Sequence, residues 1–167
     1  TWSVPRLAKF REQASEALYL DIRTRGAISA LAVMPQAPFT TQCDQRQSEL
    51  SVRAVGLNFR DVLNVLGEYP GDPGPPGGDC AGSVNSVGSC VDHIAPSCTA
   101  FGFAVGSLAT YARGPADWLV SKPRSVTFAR ASSLPIVWCT VHAAFKSSRL
   151  LSCSQLLVHA AAGGVGL

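Results

Sequence analysis

Charge is scarce in this sequence: 15% of its 167 residues are Asp, Glu, Lys or Arg, and the net charge is +3. The 14 basic side chains are scattered, and no stretch gathers them with interleaved aromatics. That argues against a nucleic-acid surface. Long apolar runs are missing as well. The longest, Leu134 to Phe145, is too short to span a bilayer and contains His142, so it predicts a buried helix and no membrane segment. No apolar h-region follows Thr1, so no targeting signal is expected, and the protein reads as soluble and cytoplasmic. The six cysteines stand far apart with no C-x-x-C pair. They predict small, mostly buried, reduced thiols, Cys80 and Cys139 among them. The three histidines (His93, His142 and His159) are widely dispersed. A tetrahedral site needs several converging Cys or His, so no zinc is expected.

What remains is an apolar chain, 47% hydrophobic, able to bury a core and long enough for one domain and the start of a second. Glu49 to Val55 alternates, with Leu50, Val52 and Ala54 on one side and Glu49, Ser51 and Arg53 on the other, which predicts a half-buried strand. Asn58 to Leu66 carries Phe59, Val62, Leu63 and Leu66 at helical spacing, with Asn58 placed as N-cap. Gly67 to Gly78 holds four prolines and five glycines and must be a loop. Ala81–Val87, Thr99–Phe103 and Trp118–Ser121 read as further short strands. Strands of this length and spacing predict a small antiparallel barrel or sandwich.

The pattern changes near Pro135. Val137, Val141, Ala144, Phe145 and Ser148 share one helical face, with Pro135 in the first turn. Ser154 to Ala160 is a mostly apolar run, the pattern of a strand buried in a parallel sheet, with His159 as a core residue. It leads into Ala161-Ala162-Gly163-Gly164-Val165-Gly166. A strand entering a glycine-rich turn is how a dinucleotide-binding unit begins, with Ala161, Gly163 and Gly166 in the G-x-G-x-x-G positions. An ordinary tight turn is the alternative.

Ala160 to Gly166 resembles the AAxGGVG signature of the zinc-independent medium-chain dehydrogenases/reductases. That superfamily includes quinone oxidoreductases and the enoyl reductases of polyketide and fatty acid synthases. Val52 to Leu63 (Val-Arg-Ala-Val-Gly-Leu-Asn-Phe-Arg-Asp-Val-Leu) is similar to the strand–helix segment of polyketide synthase enoyl reductases. Leu66-Gly67-Glu68-Tyr69-Pro70-Gly71 and Gly77-Gly78-Asp79-Cys80-Ala81-Gly82 continue the likeness, and Ser133-Leu134-Pro135 and Thr140 fit the family's entry to its cofactor domain.

The resemblance implies a mainly β GroES-like substrate domain, residues 1–132, followed by the first helix and strand of an α/β NAD(P)-binding Rossmann domain, residues 133–167. It implies NADPH-dependent reduction of the double bond of an enoyl thioester carried on an acyl carrier protein, beside other polyketide synthase domains, with a homodimer allowed for. Asn58 resembles the family's cleft-facing asparagine, with capping as its other role. Tyr69 sits at the cleft rim, as donor to Cα or as a packing residue. Thr140 resembles a nicotinamide contact, or else bonds its own i−4 carbonyl. Ala161, Gly163, Gly164, Val165 and Gly166 would hold the cofactor. Arg60 and Asp61 are read as an ion pair or cap.

Zinc enzymes of the superfamily place a Cys within the stretch matching Leu57-Asn58-Phe59 and a His–Glu pair near Gly78-Asp79; Asn58 and Gly78 offer no such ligands. Pro96-Ser97-Cys98 stands where the family usually carries Gly-Asp. The sequence stops at Leu167, before the helix that should follow, so this chain alone is expected to be inactive. A zinc-free quinone oxidoreductase and a non-catalytic GroES-like structural domain are the rival readings.

Overall fold

The computed structural model describes residues 16–148 and 155–166. Strands β1 (Leu18–Ile22) and β2 (Leu31–Pro35) form an antiparallel hairpin. Five strands make the main sheet: β3 (Gln47–Gly56), β4 (Asp79–Val87), β5 (Thr99–Phe103), β6 (Tyr111–Pro115) and β7 (Leu119–Ser121). Their order is β6-β3-β4-β5-β7, antiparallel throughout. Helix α1 (Phe59–Leu66) follows β3, and helices α2 (Phe128–Ser132) and α3 (Pro135–Ser148) follow β7.

The alternation expected of β3 is realised. Leu50 is fully buried, Arg53 is exposed, and the register shifts between Val52 and Ala54, so Arg53 stands at a bulge. Leu50 packs with Val84, Ile94, Ala100, Ala116 and Leu119 in the larger core cluster, and Cys80, Ala104 and Ala112 make a smaller one. Glu49 pairs with Arg113 across β3 and β6. Their side chains meet at 2.7 Å, and the guanidinium also sits 4.3 Å from the Phe39 ring centroid.

Pro96-Ser97-Cys98 forms its turn despite lacking glycine. Ser97 takes a left-handed φ of 69°, its N–H reaches the Val84 carbonyl at 2.8 Å, and Val84 N–H reaches the Cys98 carbonyl at 2.8 Å. Helix α2 crosses β3, β4 and β5, and its Thr127 cap accepts from Arg130 N–H at 3.2 Å.

Four expectations need correction. Helix α3 forms over the expected span, but it has no buried residue; Trp138 is 68% exposed, because the helix meets the sheet chiefly at β5. The strand expected over 154–160 is not formed where it is described: 155–158 is irregular and 159–166 is a series of turns. A parallel strand needs neighbours to complete its backbone hydrogen bonds, and among the described residues none runs beside it. His159 is accordingly exposed in a turn and not a core residue. Of the five described cysteines, all free thiols, only Cys80 is buried and Cys90, Cys98 and Cys139 are exposed. Cys153, Ser154 and Leu167 lie outside the described residues.

Candidate functional site

The site is built where β3 gives way to α1. Asn58 is the N-cap, in extended conformation, and Asp61 at the third helical position accepts its N–H at 2.9 Å. This is the return half of a capping box. The other oxygen of Asp61 accepts from Gly77 N–H at 2.9 Å, so the buried carboxylate ties the start of α1 to the end of the long loop. Helix α1 ends at Gly67, whose φ of 74° places it in the left-handed region that glycine enters at no steric cost. Asn64, also buried, donates to the Gly74 carbonyl at 3.0 Å and accepts from Arg25 at 3.1 Å, which holds the loop against the helix.

Tyr69 stands in that loop, half-buried. The Arg60 guanidinium lies 5.6 Å from its ring centroid and donates to the Pro73 carbonyl. Arg60 makes no ion pair with Asp61 among the described contacts; Asp61 is the cap and Arg60 the brace of the rim. Arg60 also lines a small crevice of about 100 Å³ together with Asn58, Asp61, Gly78, Phe103 and Ile136.

Asp79 closes the base of this arrangement. It opens β4, is 1% exposed, and accepts from Ile136 N–H at 3.2 Å to each carboxylate oxygen. Burial pushes its carboxyl upward and Asp61 adds to the rise, while the Asn58 side-chain amide and the Ile136 N–H pull the other way. Beside it the Cys80 thiol is pushed up to about 12, by burial first and then by the Asp79 charge. A Cβ at Gly78 would stand 2.5 Å from the Phe103 ring, so any larger residue there must move that ring. A histidine at this position would displace Phe103. Among the described residues no three His, Cys, Asp or Glu side chains gather into a metal-binding group.

The expected site residues therefore separate. Asn58 lines the crevice with Arg60, and the Arg60 guanidinium also lies beside Tyr69, which is itself outside the crevice lining. Thr140 is exposed and its hydroxyl donates to the Ile136 carbonyl at 2.7 Å, the i−4 bond. The glycine turn lies against the far part of α3, where Val165 and Gly166 line a groove with Val141, Ala144 and Phe145. Gly166 must be glycine here, since a Cβ would stand 2.5 Å from Ala161 Cα. The Gly163 N–H is donated to the Ala160 carbonyl at 2.8 Å and the Gly166 N–H to the Gly163 carbonyl at 2.9 Å. So folded, the turn spends two of its amides on itself.

Asp79 and the bracing role of Arg60 are what sequence reasoning passed over. The available signal was a carboxylate directly after Gly77-Gly78, at the head of an apolar strand. Buried acids of this kind must find donors.

An antiparallel sheet with a capped helix after its long strand, and a further helix leaving over the sheet, is the GroES-like part of a medium-chain dehydrogenase/reductase. No protein-family model matches the chain. Its curated relatives include the pikromycin polyketide synthase component PikAII of Streptomyces venezuelae, 37% identical over 159 residues. That match takes in 92% of this chain and 4% of the relative. Erythronolide synthase EryA2 of Saccharopolyspora erythraea is 36% identical over 171 residues, 98% of this chain and 5% of the relative.

Among solved structures, the CurK enoyl reductase superposes with a TM-score of 0.82 at 28% identity, over 90% of this chain and 49% of that one. A quinone oxidoreductase of Pseudomonas syringae pv. Tomato DC3000 gives 0.77 at 27%, over 90% and 47%. The Escherichia coli quinone oxidoreductase complexed with NADPH gives 0.73 at 26%, over 90% and 46%. Over most of its own length the chain is similar to polyketide synthases, and its fold is that of the enoyl reductases and quinone oxidoreductases of the medium-chain dehydrogenase/reductase superfamily. It spans about half the length of the solved structures and a few per cent of the curated relatives.

Proposed function

We propose that this chain is the substrate-domain part of an enoyl reductase that reduces the α,β-double bond of an enoyl thioester carried on an acyl carrier protein within a polyketide synthase. In this reading residues 1–132 form the substrate domain and 133–167 open the cofactor domain. The observation that carries the proposal is the crevice at Asn58. A neutral amide is held at the head of α1 by a capping box, backed by the buried Asp79, and flanked through Arg60 by a tyrosine.

In such a reduction a hydride adds to Cβ, the thioester oxygen gains enolate charge, and Cα takes a proton. NADPH, bound in the E. coli neighbour, would supply the hydride, and no step here is routed through the described glycine turn. Asn58 has two amide protons. In this reading they are the donors that stabilise the developing oxyanion without reorganisation. The Tyr69 hydroxyl is the proton source for Cα in this reading, and its place on a loop braced by Arg60 and Asn64 fixes the face it serves.

The test uses a chain extended to the full length of the structural neighbours. Turnover of a crotonyl thioester with NADPH, with little or none on a simple quinone, is the expected result. Quinone turnover without thioester reduction would favour the quinone oxidoreductase reading, which the Pseudomonas syringae likeness supports. Failure to bind NADPH at all would favour a structural domain.

A further inference from the structure

Besides Asn58 and the charged Arg60 and Asp61, the crevice is lined by two large apolar side chains from different elements, Phe103 of β5 and Ile136 of α3. The Phe103 ring is held on two sides. Gly78 lies so close to it that a Cβ there would stand 2.5 Å from Cε2, 3.1 Å from Cζ and 3.2 Å from Cδ2. Trp118 meets the ring edge-to-face, with centroids 5.5 Å apart and planes at 67°, an arrangement in which aromatic quadrupoles attract. Trp118 immediately precedes Leu119, which pairs with Gly102 across β5 and β7, so both aromatic residues are anchored in one strand pair. A ring packed in this way yields little to a group that is too large.

Size then sets what the crevice accepts. A cavity of roughly 150 Å³ holds one benzene ring. At about 100 Å³ this crevice has room for about four non-hydrogen atoms. That is a thioester carbonyl with Cα and Cβ, and no branch. With the Asn58 amide on the thioester oxygen, Cα and whatever it carries fall against the apolar side chains. We infer that Phe103, held by Trp118, is a specificity-determining residue: it closes the crevice against a substituent on Cα, so the site takes unbranched enoyl thioesters in preference to α-methyl ones. This inference rests on the function proposed above and adds the class of acyl group that the site selects.

The extended enzyme decides it, assayed with NADPH on a crotonyl thioester and on the 2-methylcrotonyl thioester of the same thiol. Wild type should favour crotonyl by about tenfold or more in kcat/KM, the discrimination that one methyl group gives in a tight apolar pocket. Phe103→Leu should lower that preference about tenfold. Trp118→Leu, at a position 49% exposed, frees the edge of the ring and should move the ratio in the same direction, which keeps the test alive if Phe103→Leu does not fold. Val120→Ala, on β7 but outside the crevice lining, should leave the ratio where it is. A wild-type ratio near one, a ratio unmoved by both aromatic substitutions, or one moved equally by Val120→Ala overturns the inference and leaves the proposed function standing. If the wild-type extended chain reduces neither thioester, the proposed function itself fails and the inference falls with it.

Discussion

Gly56 and Ser132 touch. A Cβ added at Gly56 would fall well inside van der Waals contact distance of the Ser132 carbonyl oxygen, and the backbone rather than a movable side chain blocks it. This contact seats α2 on the end of β3, one residue before the loop into α1. Gly56→Ala should lower stability by about 1–3 kcal/mol, the range for overpacking a fixed contact. Urea unfolding measures it, and an unchanged midpoint would show that α2 gives way freely.

The Glu49–Arg113 pair should be worth more than a surface ion pair. Their side chains are 17% and 14% exposed, and Arg113 also bonds the Thr41 carbonyl at 2.8 Å. A charge-assisted bond shielded to this degree contributes about 1–2 kcal/mol. A double-mutant cycle of Glu49→Gln and Arg113→Met should return a coupling of that size. A coupling near zero would reduce the pair to an ordinary surface ion pair in which solvent screening wins.

Ser97 holds a φ of 69°. That region costs an L-residue roughly 1 kcal/mol, which glycine avoids. Ser97→Gly should therefore stabilise the protein by about 0.5–1 kcal/mol, read as a rise in the unfolding midpoint. A fall would mean that the serine side chain repays its backbone strain in a way the hydrogen bonds of this turn do not reveal.

Thiol reactivity should sort by environment. Cys90, Cys98 and Cys139 are exposed and should react with a thiol reagent at pH 8, while Cys80, buried with its thiol pushed up to about 12, should react only on unfolding. The sign for stability follows. Above the ordinary value of 9.0 the unfolded chain loses this proton first, so stability falls as pH rises from 9.0 toward 12. Below 9.0 both states keep the proton and Cys80 contributes no slope. Modification of Cys80 in the native state at the rate of Cys139 would contradict the burial.

Tyr69→Phe in the extended enzyme should leave NADPH affinity nearly unchanged and alter Cα protonation, in rate or in product configuration. The ring and its stacking on Arg60 survive this substitution, so only the hydroxyl is removed. Wild-type turnover with wild-type configuration would leave Tyr69 a packing residue.

Local chemistry made much of this protein legible in the sequence. The period-two pattern around Leu50, the cap at Asn58, the glycine- and proline-rich loop before Gly78 and the start of α3 at Pro135 each follow from neighbours along the chain, and each appears where expected. The motifs from Val52 to Gly82 carried the family for the same reason: side chains and turns at fixed spacing survive as a readable string. Tertiary structure decided the rest. The apolar run 155–160 has strand composition, but a strand exists only through partners, and among the described residues it has none. The face of α3 was predictable, yet its exposure was not, because burial depends on what packs over a helix and not on its period. Asp79 shows the limit most clearly. In sequence it is one acid among eleven; only the fold buries it and brings it within hydrogen-bonding distance of the Ile136 N–H, 57 residues away.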